Sequence, residues 1–175
     1  MKSTKRQLTL LIYIFLISSF GFANTLDDIK RQARLSSTPV SELEVLAKHS
    51  NTEVRKLVAS NRKSSEATLN TLAHDNEVQV RLTVATNLNT TEKTFLILAR
   101  DKNVAVRSVV ARFEYIPSKI LYLLAHDSNA NIRFEVAKNL NANLETLNLL
   151  SKDSDPDVRA SALQGLQQRK DDANL

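Results

Sequence analysis

Three histidines, a run of aspartates and two recurring columns of charge are the side chains in this 175-residue chain whose types and spacing could do chemistry. The string Leu72-Ala73-His74-Asp75 returns as Leu124-Ala125-His126-Asp127, two periods of a 26-residue repeat later. At packed-helix spacing that separates His74 and His126 by roughly 20 Å, so one metal ion cannot join them; His49 lies one column along. Asp153, Asp155 and Asp157 in SKDSDPDVR resemble part of a calcium loop, without the glycine and distant glutamate such a loop uses. The bland alternative is a solvated turn with Asp155 or Asp157 capping a helix. No Ser-His-Asp set, glycine-rich phosphate loop or HExxH string occurs. The absence of cysteine excludes disulfides, thiolate catalysis and cysteine-ligated zinc or iron-sulfur clusters. The expectation is therefore no catalytic residue, no cofactor and no metal.

The charge columns are more regular. Asp75, Asp101, Asp127 and Asp153 share one position of the repeat, and Arg55, Arg81, Arg107, Arg133 and Arg159 share another. Two readings are open: a basic stripe for an anionic ligand, or an internal ladder in which each Arg meets the Asp or a turn carbonyl of its own or the adjacent repeat. The planar guanidinium fork suits partly buried carboxylates, and recurrence in every unit tracks architecture better than a single site. The ladder is the favoured reading.

The elements that must position these columns follow from the repeat itself. LAHDNEVQVRLTVATNL from Leu72 returns in register from Leu46, Leu98, Leu124 and Leu150, always 26 residues on. Fixed self-similarity in this range marks stacked supersecondary units. In each unit apolar residues fall at i, i+3 and i+4, as at Leu69, Leu72 and Ala73, the stripe of a short amphipathic helix. A basic column closes that helix at Lys48, His74, Arg100, His126 and Lys152, opposing its negative end. Val80 with Val84-Ala85, and their counterparts, mark a second short helix. Asn61, Asn87, Asn139 and Gly165 stand where that helix should stop, and Asn and Gly accept the left-handed conformation of a C-terminal cap. Phe113 takes that column in the third unit, which predicts a distorted turn there. Five or six aliphatic side chains cannot offset the entropy of ordering a whole unit, so units fold only as a stack. The fold class is all-α: a right-handed α-solenoid of five 26-residue two-helix repeats, one helix of each partly 3-10, spanning residues 37–167.

The flanks read differently. Met1 to Arg6 is basic and Leu8 to Phe22 nearly all apolar, ending in Gly21-Phe22-Ala23, which predicts a signal peptide over residues 1–23. The run is too short for a bilayer span, so no integral membrane segment is expected after cleavage, and the localisation is exported, periplasmic or secreted. Without Lys2, Lys5 and Arg6, 21 basic residues face 19 acidic ones; that balance, with export, excludes nucleic acid as a partner. Residues 24–36 read as an N-terminal capping helix, with Asn24 or Thr25 as cap, followed by Thr38 as N-cap and Pro39 as first helical residue of the next. Gly165 closes the last unit, and residues 168–175 read as a frayed polar tail.

The unit L-A-x-D-x-N-x-x-V-R-x-x-V-A-x-N-L, carried by Leu72-Ala73, Asp75, Val80-Arg81, Val84-Ala85 and Asn87 and their counterparts, resembles the leucine-rich repeat variant and, more broadly, HEAT-like repeats. The departures are His49 for the Asp, Phe113 for the Asn and Ser151 for the Ala. The resemblance implies a strand-free superhelix of α and short, partly 3-10 helices, and a scaffold for protein contacts with no shared catalytic residues. Two surfaces are candidates for a protein or peptide partner. One is a central aromatic patch of Leu96, Phe113, Tyr115 and Tyr122; the other is the exposed face of the second helices, with Leu82, Arg112, Phe134 and Lys138, expected to line the concave side of the stack. A polyanion binder, using envelope polysaccharide or lipid headgroups, and a HEAT-like lyase or small-molecule chaperone are the alternatives.

Overall fold

The computed structural model describes residues 25–173; the expected signal peptide lies outside them. Among the described residues there are eleven helices and no strand. A leading helix, α1 (Leu26–Arg34), precedes five helix pairs: α2 (Val40–Leu46) with α3 (Thr52–Ser60), α4 (Glu66–Leu72) with α5 (Val78–Ala85), α6 (Glu92–Leu98) with α7 (Val104–Arg112), α8 (Ser118–Leu124) with α9 (Ala130–Lys138), and α10 (Leu144–Leu150) with α11 (Pro156–Ala173).

Local chemistry sets the starts. Thr25 caps α1 in a reciprocal box with Asp28. Ser65 and Asn143 cap α4 and α10 by accepting the backbone N–H of Thr68 and Thr146. Pro39 and Pro117 fill the same position with φ already near −60° and no side-chain bond. Thr38, expected as the cap, stands one residue further out, and its hydroxyl donates to Gln32 O at 2.6 Å instead. Asn51, Asn103, Asn129 and Asp155 cap the second helices. The 3-10 character is confined to tight terminal turns, such as Lys48 N–H to Val45 O and His49 N–H to Leu46 O.

The two helices of each pair form two rows with one core between them. Leu43, Leu69, Phe95, Leu121 and Leu147 of the first row face Val54, Val80, Val106, Ile132 and Val158 of the second, all buried. Neighbouring second helices pack directly on one another, with α1 leading the row against α3. The result is an α-solenoid with one continuous apolar core.

Three further expectations change. Asn61 and Asn139 are extended, at φ −73°, not left-handed; each amide reaches back across the stack. Asn61 Nδ2 donates to Ala33 O and Leu35 O, Asn87 Nδ2 to Ala59 O and Asn61 O, and Asn139 Nδ2 to Ala111 O and Phe113 O, at 2.7–3.2 Å. These asparagines are rungs between units, because the carbonyls freed at one helix end lie under the next unit's turn. The turn at Phe113 is not distorted: its φ of −64° matches its counterparts. Its ring instead packs on Phe95, centroids 5.3 Å apart, so an aromatic contact within the unit replaces the amide rung.

The third correction concerns residues 168–175, expected as a frayed tail behind a stop at Gly165. Helix α11 runs unbroken through Gly165 to Ala173. Gly165 has no amide to engage the preceding unit, and its bare Cα accommodates Leu147, whose Cδ1 would lie 3.3 Å from an added Cβ. One turn on, Arg169 Nη2 donates to Leu140 O at 3.0 Å and Ala142 O at 2.6 Å, pinning the longer helix to the stack.

Candidate functional site

Because helix α3 starts at a fixed distance behind its turn, Arg55 projects along the stack, and the same holds in every unit. Arg55 meets Asp75, Arg81 meets Asp101, Arg107 meets Asp127 and Arg133 meets Asp153, in each case through Nε and Nη2 to the two carboxylate oxygens at 2.6–3.1 Å. The partner is always the Asp of the following unit. Nη1 turns the other way, to the carbonyl six residues back: His49, Asp75, Asp101, Asp127 and, for Arg159, Asp153. Each Asp Oδ1 also accepts the backbone N–H two residues on, as from Glu77 and Asn103. One guanidinium therefore ties its own turn to the next with charge-assisted bonds.

Electrostatics follows the geometry. Burial works to raise the carboxyls of Asp75, Asp101 and Asp127, but the Arg bond, the accepted amide N–H and the nearby Arg charges outweigh it and hold each below its ordinary value. For Asp153 the bond from Arg133 is the largest influence, in the same direction. His49, in the Asp column of the first unit, accepts Asn51 N–H through Nδ1 at 3.0 Å. A carboxylate is dispensable there, since Ile29 stands where an Arg would be. Four of the five arginines in the column therefore hold carboxylates as an internal ladder and do not lie open as a basic stripe.

Two of the histidines and two of the three clustered aspartates are engaged locally. His74 Nδ1–H and His126 Nδ1–H donate to Asn70 O and Tyr122 O, closing the first-row helices. Asp155, the second of the three clustered aspartates, caps α11, while Asp153 sits in its ion pair.

The candidate docking residues divide between two faces. Leu96 and Tyr122 share a column on the first-row helices α6 and α8, with Leu96 half-buried against the core and Tyr122 38% exposed. Phe113 is half-buried; Tyr115, 67% exposed, meets its edge at 6.0 Å, while Tyr122 packs on His126 at 5.1 Å. Among the described residues no ring contact joins Tyr115 to Tyr122, so the aromatic patch falls into two groups. On the second row Leu82 and Phe134 are half-buried in one column, with exposed Arg112 and Lys138 in the next. Lys138 Nζ lies 5.3 Å from the Phe134 ring centroid.

Phe134 and Lys138 form one wall of an open groove of about 570 Å³ between α9 and α11, completed by Ala130, Asn131, Asp155, Asp157, Ala160, Ser161 and Gln164. The contribution of Asp157, Ala160 and Ser161 was not foreseen from the sequence. Its signal is the step from Phe134 to Ala160 in a single column: a ring beside a methyl leaves space between adjacent helices. The groove offers an aromatic face, a cation at one end and carboxylates at the other.

No family model and no curated protein matches the chain. Among solved structures it is similar to one described as a leucine-rich repeat variant with a novel repetitive protein structural motif, at 26% identity and a TM-score of 0.64, over 86% of this chain. The match spans 60% of that structure's length. With its repeat register, paired helices and inter-unit rungs, this chain is a leucine-rich-repeat-variant-like repeat protein.

Proposed function

We propose that the chain is an exported, non-catalytic scaffold that binds a protein or peptide in the groove between α9 and α11. The single observation that carries this reading is the juxtaposition of the half-buried Phe134 ring with Ala160 across an open groove whose ends carry Lys138 and Asp157. An apolar platform flanked by opposite charges suits a peptide that sets an apolar side chain on the ring and a basic one toward Asp157. The groove is preferred to the aromatic patch because Phe113 is engaged with Phe95 and the two tyrosines stand apart. Export rests on the basic start and apolar run before Ala23. Among the described residues no helix is long and apolar enough to cross a membrane.

A displayed-peptide library panned on the folded chain should enrich sequences pairing an aromatic or long aliphatic residue with a basic one. Binding of those peptides should fall at least tenfold in Phe134→Ala and in Asp157→Lys, and survive in Tyr122→Ala. Enrichment unaffected by Phe134→Ala and Asp157→Lys would remove the groove as the binding surface.

A further inference from the structure

The two ends of the stack are not equivalent. At the front, α1 buries Ala33 against α3 and exposes Asp27, Asp28, Arg31 and Arg34, a polar face of the kind that closes a solenoid. At the back, the last inter-unit pair among the described residues is Arg133 with Asp153. Arg159 holds the same place as Arg55, Arg81, Arg107 and Arg133, and its Nη1 makes the same bonds, to Asp153 O at 2.6 Å and Ser154 O at 2.9 Å. Among the described residues no carboxylate meets its Nε and Nη2, the two groups that grip an Asp in every other unit.

The apolar register points the same way. Leu163 continues the column of Ala33, Ala59, Ala85, Ala111 and Ala137, which the next unit covers to 4% exposure or less. Leu163 is 55% exposed. Lys170, also exposed, lies close to the line of Arg159 and Leu163 along α11. The end face thus carries a leucine between two cations, one of them with its fork half-filled.

We propose that this end of the solenoid docks a second protein through an acidic turn followed by an amphipathic helix, whose carboxylate completes the Arg159 fork and whose apolar face covers Leu163. The four filled forks are the template for what fits: a carboxylate taken by Nε and Nη2 at 2.6–3.1 Å. A second copy stacked end to end does not supply it. Asp75, Asp101, Asp127 and Asp153 are already gripped, and the first unit has His49 in the carboxylate column behind the polar α1. Two copies meeting back to back would set like cations against each other. This end face is separate from the α9–α11 groove and does not depend on it.

The probe is the acetylated, amidated peptide of Leu150–Gln164, the natural occupant of the Arg133 fork, titrated to about 1 mM into isotopically labelled full-length chain and followed by amide and Arg Nε–H chemical shifts. The expected result is shifts centred on Arg159, Leu163 and Lys170, weakened at least tenfold by Asp153→Asn in the peptide, by Arg159→Gln in the chain, and by added salt. Leu163→Ser, an exposed change that leaves the ladder intact, should weaken it as well. Absence of shifts, shifts centred elsewhere, or equal binding of the Asp153→Asn peptide would overturn the proposal.

Discussion

Arg81 and Asp101 are joined by two parallel hydrogen bonds, Nε to Oδ2 at 2.6 Å and Nη2 to Oδ1 at 3.0 Å, with both side chains almost wholly withdrawn from water. Because the two residues belong to successive units, the pair holds one repeat against the next. Removing one member leaves the other charged and desolvated, which costs far more than the pair contributes as a whole. Arg81→Ala should lower stability by about 3 kcal/mol in urea melts. Replacing Arg81 and Asp101 together by apolar residues should recover much of that loss, giving a large coupling in a double-mutant cycle.

The same pairs set the response to acid. Asp75, Asp101, Asp127 and Asp153 have folded values below the ordinary 3.8, so their contribution is fully present above that value and drains away as the pH falls through the lowered folded values. Thermal melts should be flat in this contribution from neutrality down to about pH 5 and fall steeply below about pH 4. Asp101→Asn should lower the plateau and make the acid limb shallower.

Asn87 donates to two buried carbonyls of the preceding unit, Ala59 O and Asn61 O. Asn87→Ala should cost about 1–3 kcal/mol by leaving them unpaired. Asn87→Asp should cost at least as much at neutral pH, since a carboxylate cannot donate to carbonyl oxygens. Urea midpoints for the two variants check the order.

Thr94 is fully buried and its hydroxyl has no partner among the described residues, because Thr91, which precedes α6, turns its own hydroxyl to Glu66. Its counterparts Thr68 and Thr146 bond to Ser65 and Asn143. Thr94→Val removes an unsatisfied group at nearly constant shape and should stabilise the chain by about 1 kcal/mol. Thr146→Val, which breaks a bond, should not; differential scanning calorimetry on both separates the cases.

What the residues alone determined is local and repeated. The spacing of Leu, Val and Ala dictates two short helices per unit and the faces they bury, and five copies of one pattern dictate a stack. The Asp and Arg columns were legible for the same reason. Which unit supplies each partner was not: Arg81 could meet the Asp of its own turn or of the next, and only the offset between packed units sends it to Asp101. Asn61, Asn87 and Asn139 carry the same ambiguity, since an amide that suits a left-handed cap equally suits two carbonyls across the stack. Phe113 reads as a fault in the pattern and Gly165 as a helix stop, while the fold uses the first to pack on Phe95 and the second to let α11 run on over Leu147. Periodicity records what each residue does within its own helix; the rotation and rise from one unit to the next, which decide every rung and the groove beside Phe134, exist only once the units are stacked.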